Sequence, residues 1–168
     1  LIEAYAESTF LDSIHVHVGS GGMNPETQLA TGVRFALDLA LEINHGLGYD
    51  QISTIDIGGG LPVNYVSDDF SSQQAPSFHE YAQVLRKTAP ELFEENRFTV
   101  LTEFGQSLNA KAGFLASTIE FVKKEASRSN NLAIIHFGAD LCLRQAYANQ
   151  DHSRRFAAFD AISGQPLL

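Results

Sequence analysis

Three short β-rich stretches in this chain each run into glycine, and helix-like segments separate them. That order restricts the fold more than any other feature of the sequence. Residues 13–18 (SIHVHV) alternate and lead into Gly19-Ser20-Gly21-Gly22. Asn24-Pro25-Glu26 then reads as a helix start, with Asn24 as cap and Pro25 at the first helical position. Leu29, Val33, Ala36, Leu37, Ala40 and Ile43 recur at helical spacing, and Gly46 is the expected stop. The cycle repeats: residues 53–57 (STIDI) precede Gly58-Gly59-Gly60, and Ser77-Phe78-His79-Glu80 has the spacing of a capping box. Tyr81, Val84, Leu85 and Leu92 supply the buried side of that second helix, which Pro90 interrupts. Residues 98–103 (FTVLTE) form the third expected strand, with Gly105 just beyond.

Strands alternating with helices are the grammar of parallel α/β architecture. Three strands cannot close a barrel, which needs eight and typically about 250 residues. The expectation is therefore part of a barrel or a small open sheet, occupying residues 1–110. After Gly113 the pattern changes. Residues 114–122, 132–137 and 156–159 look like β segments without intervening helices, so an all-β domain is expected over residues 111–168. The chain opens Leu1-Ile2-Glu3 without an initiator methionine, and a piece of a longer reading frame is expected.

Composition narrows the function classes. A net charge of −9, from 11 basic and 20 acidic residues, argues against a nucleic-acid or anionic-membrane surface, which needs clustered lysine and arginine. No apolar run approaches the roughly 20 residues that span a bilayer. Cys142 is the single cysteine and cannot form an internal disulfide, which favours a reducing, cytoplasmic compartment. It is expected to be a buried apolar residue.

In a parallel α/β protein, ligands bind at the C-terminal ends of the strands. His15 and His17 share a strand face, because side chains alternate. Gly58, Gly59 and Gly60 offer backbone N–H groups and allow close approach, as an anion requires. Glu103 ends an apolar strand, where a buried carboxylate is costly unless a cation meets it. Each feature has a plain structural explanation: a core histidine, a tight turn, a helix cap. Occurring in order on consecutive strands, they face one pocket.

His17-Val18-Gly19-Ser20, Asp56-Ile57-Gly58-Gly59-Gly60 and Glu103-Phe104-Gly105-Gln106 resemble three successive signatures of one family. It comprises the pyridoxal-phosphate-dependent decarboxylases with an alanine-racemase-like barrel, such as the diaminopimelate and ornithine decarboxylases. Their signatures are H-x-G-S, D-x-G-G-G and E-P-G-R, on the last three barrel strands. The resemblance implies the C-terminal part of a (β/α)8 barrel followed by the start of a β-sandwich. It also implies decarboxylation of diaminopimelate or of a basic amino acid like ornithine, arginine or lysine. Residue by residue, His17 stacks on the pyridine ring. Ser20 and the amides of Gly58, Gly59 and Gly60 bind the cofactor phosphate, and Glu103 pairs with the ring nitrogen. No metal is expected, and the complete protein is expected to be a homodimer. Gly138-Ala139-Asp140-Leu141-Cys142-Leu143-Arg144-Gln145-Ala146-Tyr147 is similar to a family segment whose arginine and tyrosine reach the substrate, which marks Arg144 and Tyr147. The plain alternative there is an ordinary strand with Arg144 exposed.

Two departures from the family pattern stand out. Gln106 replaces its arginine and keeps hydrogen-bonding capacity without the charge. The family's Schiff-base lysine belongs on an early strand, whereas Lys87, Lys111, Lys123 and Lys124 fall in a helix or after the third strand. The chain alone is therefore expected to be inactive. Two alternatives share the cofactor: a racemase, which typically sets arginine at the ring nitrogen, and a non-catalytic pyridoxal-phosphate-binding protein. Glu103 weighs against the first, and the β segments beyond Lys111 against the second.

Overall fold

The three β-rich stretches lie side by side as one parallel sheet in the order β1 (Ser13–His15), β2 (Thr54–Asp56), β3 (Thr99–Leu101). This computed structural model describes residues 2–20, 23–65, 75–124, 131–142 and 156–167. It divides into two compact units, Leu1–Asn64 with Asp69–Ala112, and Gly113–Leu168 with Tyr65–Asp68.

In the first unit, Ile14, Ile55 and Val100 stand in register across the sheet. The regular strands are shorter than the β-rich stretches, and single backbone bonds continue the pairing past them. Val16 N–H donates to Asp56 O (2.9 Å), Ile57 N–H to Leu101 O (3.0 Å) and Glu103 N–H to Gly58 O (2.9 Å). The strand ends are thereby held together.

Helix α2 (Ala30–Leu47) is preceded by a wider helical turn over Pro25–Leu29. Asn24 caps that turn as expected, its side-chain oxygen accepting from the N–H groups of Glu26 and Thr27. The stop falls at Gly48 rather than Gly46. Gly48 has φ 75°, the left-handed conformation that closes a helix, while Gly46 stays within the last turn. The stripe of Val33, Leu37, Ala40 and Ile43 is buried against Ile14, Ile55 and Ile57. Each fully buried side chain of this kind contributes about 1.5–3 kcal/mol. Buried Asn44 fixes where β2 begins: its amide donates to Ile52 O and its carbonyl accepts from Ile52 N–H, both at 2.8 Å.

Helix α3 (Phe78–Thr88) starts with the capping box read from the sequence, Ser77 and Glu80 exchanging bonds. It buries Tyr81 and Leu85 and ends before Pro90, which opens a short 3-10 turn, Pro90–Phe93. Arg34 on α2 reaches Glu91 on that turn at 2.8 Å and also pairs with Asp38. A first helix, α1 (Ile2–Glu7), was not apparent from the sequence. Gln51 donates to Tyr5 O (2.8 Å) and Leu11 O (3.0 Å), tying this segment down.

Among the described residues, the second unit contains two antiparallel pairs. Strand β4 (Ile119–Lys123) pairs with β5 (Leu132–Ile135), with a register shift between Ile119 and Phe121. Strand β6 (Ala158–Phe159) pairs with β7 (Pro166–Leu167). Phe121 and Val122 are exposed. Cys142 is half-buried rather than buried, because it leaves a surface turn in which its N–H donates to Gly138 O. No helix of the described residues is long and apolar enough to cross a membrane.

Candidate functional site

At the C-terminal end of the sheet, β1 delivers His15, the chain just beyond it His17, and the chain beyond β3 Glu103. His15 Nε2 lies 3.4 Å from Glu103 Oε2, and His17 Nδ1 lies 3.8 Å from the same oxygen. The three side chains are about half exposed. The expected burial of Glu103 is therefore corrected. Strand β3 is exposed along its whole length, so the carboxylate keeps much of its hydration.

Between them runs the loop after β2. A Cβ on Gly58 would lie 2.3 Å from Val16 O, one on Gly59 2.8 Å from Glu103 O, and one on Gly60 2.3 Å from Gly19 O. Gly58 and Gly60 also have positive φ, 67° and 89°. The triple glycine thus lets the loop thread between the ends of β1 and β3.

The loop's donors are partly committed. Gly58 N–H donates to Asp56 Oδ1 at 2.9 Å, so Asp56 shapes the turn. Gly59 N–H donates to His17 Nδ1 at 3.3 Å. With Nδ1 accepting, the neutral ring carries its proton on Nε2, which faces Ser20 Oγ at 3.3 Å. Among the described residues, Gly60 N–H has no acceptor.

Phe104, where the family has proline, anchors this end of the sheet. Its ring stacks on Phe78, centroids 5.7 Å apart, and meets Tyr81 edge-on at 5.9 Å. Helix α4 (Gly105–Asn109) follows and carries Gln106, while Ser107 Oγ donates to Leu61 O at 2.9 Å.

The model of the pyridoxal-binding domain of pyridoxal-dependent decarboxylases matches residues 3–110. The chain belongs to this family. Over 149 residues the chain is 26% identical to diaminopimelate decarboxylase of Aquifex aeolicus, covering 87% of its own length and 32% of that protein. A mutant form of the Helicobacter pylori diaminopimelate decarboxylase, complexed with L-lysine, superposes with a TM-score of 0.71 at 23% identity. It covers 96% of this chain and 37% of that one. The Vibrio vulnificus lysine/ornithine decarboxylase complexed with cadaverine gives 0.63 at 22% identity, covering 88% and 35%. These two likenesses establish the fold. The chain spans about a third of the length of the relatives it matches.

Within this pyridoxal-binding domain the structure brings His17, Ser20, Gly58, Gly59, Gly60 and Glu103 to one end of the sheet. Arg144 and Tyr147 lie outside the described residues. Sequence reasoning gave His15 and Asp56 no role. The signal for His15 was its position two residues before His17 on a strand, and for Asp56 its place just before the glycines.

Proposed function

We propose that this chain is the cofactor-binding portion of a decarboxylase that uses pyridoxal phosphate on diaminopimelate or a basic amino acid. In this reading β1, β2 and β3 are the last three strands of a (β/α)8 barrel, and residues 111–168 begin a β-sandwich. The convergence of His17, the Gly58–Gly60 loop and Glu103 at the ends of neighbouring parallel strands carries the proposal. The relatives complexed with L-lysine and cadaverine support the substrate class.

The residues present fit the cofactor. An exposed carboxylate and an exposed imidazole open beside a loop with a free amide and a hydroxyl. Bound pyridoxal phosphate supplies an electron sink for the pair left when carbon dioxide departs. Glu103 accepts the N–H of the ring nitrogen and favours its charged form. His17 lies beside the Glu103 carboxylate, its Nδ1 3.8 Å from Oε2. Its imidazole face would pack against the cofactor ring. Ser20, Gly60 and the Gln106 side chain donate to the phosphate. Gly58 and Gly59 shape the cradle, and the long Gly59 bond to His17 is one a phosphate oxygen can replace. Arg144 and Tyr147 contact the substrate.

The complete protein is a cytoplasmic homodimer in this reading, and the chain alone does not turn over because it lacks a lysine at an early strand end. The test uses the complete protein supplied with pyridoxal phosphate and offered diaminopimelate, lysine, ornithine and arginine in turn. Carbon dioxide release above the free-cofactor background from at least one is expected. Cofactor uptake without release from any would refute the proposed reaction.

A further inference from the structure

We propose that His15, His17 and Glu103 form a site for a divalent transition-metal ion of the zinc type, and that this ion and pyridoxal phosphate exclude one another. One ligand atom from each of the three side chains lies within 4.8 Å of the other two. The carboxylate oxygen of Glu103 stands at 3.4 Å from His15 and 3.8 Å from His17. Ligands about 2.0–2.2 Å from a tetrahedral zinc ion sit roughly 3.3–3.6 Å from each other. One edge of the triangle already has that length and a second is close. Rotation of exposed side chains closes the third.

The backbone reduces the ordering cost. His15 is in register with Asp56, which is in register with Leu101, and Glu103 is held by its own N–H to Gly58 O. The ion therefore gathers side chains whose Cα positions are already set. Outer contacts also favour the ion. His17 Nε2 faces Ser20 Oγ at 3.3 Å, and a proton held there leaves the Nδ1 lone pair for the ion. The competing Gly59 N–H bond to Nδ1 is long, 3.3 Å, and weak. Two imidazoles and one carboxylate suit zinc, cobalt or nickel, whereas magnesium and calcium take oxygen ligands. Three protein ligands leave a fourth position open to solvent.

The metal affinity stands on this geometry alone. Exclusion rests on the function proposed above, which assigns Glu103 and His17 to the cofactor ring. His15 has no part in holding the cofactor, so it separates the two.

The test titrates cobalt(II) into the complete protein freed of cofactor, following its visible absorbance, with zinc as competitor. One ion per chain is expected, displaced by zinc and not by magnesium. His15→Gln and Glu103→Gln should weaken binding at least by the roughly 10- to 100-fold that loss of an outer partner costs. Circular dichroism of the variants checks that both remain folded, as substitution of two exposed side chains should allow. His136→Gln is the control, because His136 and Glu120 form another exposed pair, at 3.3 Å, without a third ligand among the described residues. Unchanged binding in His15→Gln, or equal loss in His136→Gln, would overturn the site. The His15→Gln protein should still take up pyridoxal phosphate. Cofactor added first should suppress the cobalt spectrum, and full occupancy by both would overturn the exclusion. A protein that binds cobalt but never pyridoxal phosphate would uphold the site and contradict the proposed function.

Discussion

His17 Nδ1 and Glu103 Oε2 lie 3.8 Å apart, although they follow β1 and β3, which are not neighbours in the sheet. Strand β2 lies between, and its glycine loop passes close against the backbone at Val16, Gly19 and Glu103. The absence of Cβ atoms at three consecutive positions makes that passage possible. The geometry of the site thus depends on a loop that contributes almost no side chain.

Gly60→Ala tests that dependence. Residue 60 has φ 89°, and its Cβ would meet backbone, Gly19 O at 2.3 Å, rather than a side chain that can turn aside. The substitution should destabilise the first unit by at least about 2 kcal/mol. It should also displace Gly19 and Ser20. Urea unfolding of the complete protein measures the first effect, and a parent-like midpoint would show that the loop has room the structure does not.

Phe104→Ala should lower stability by about 2–3 kcal/mol, toward the low side of phenylalanine truncations because the ring is only partly buried. The ring fixes the residue next to Glu103 against Phe78 and Tyr81. The urea midpoint should fall with the slope unchanged. A change below about 0.5 kcal/mol would mean that the aromatic cluster is incidental.

Tyr81 sets a high-pH limit. Burial pushes its phenol up from 10.0 to about 12. Between those values the unfolded chain loses the proton first, so stability falls as pH rises from about 10 to 12 and is unaffected by this group below. The loss amounts to at most about 2–3 kcal/mol. Tyr81→Phe should remove this component of the decline. Parallel stability curves for the two proteins from pH 9 to 12 would contradict it.

The capping devices at Asn24 and Ser77 were legible because each is a bond between residues two or three apart. The buried stripe of α2 followed from periodicity, and the parallel order of the strands from their alternation with helices. Other features depend on distant partners. Helix α1 has no periodic stripe and is held by Gln51, far along the chain. Gly46 reads as the stop of α2, but Gly48 is the glycine that takes the left-handed conformation. His15 beside Glu103 follows from sheet register, which alternation within one strand does not fix. The exposure of Glu103 was misjudged because FTVLTE reads as an apolar strand, whereas β3 is exposed throughout.

The most direct test of the account is Glu103→Gln in the complete protein, measuring cofactor affinity and kcat separately. A glutamine cannot hold the ring nitrogen charged, while the phosphate donors Ser20 and Gly60 are untouched. kcat should fall roughly 10²–10³-fold, the cost of losing one preorganised electrostatic group, with a much smaller change in cofactor affinity. Turnover at the parent rate with cofactor bound would contradict the assignment of Glu103 to the ring nitrogen.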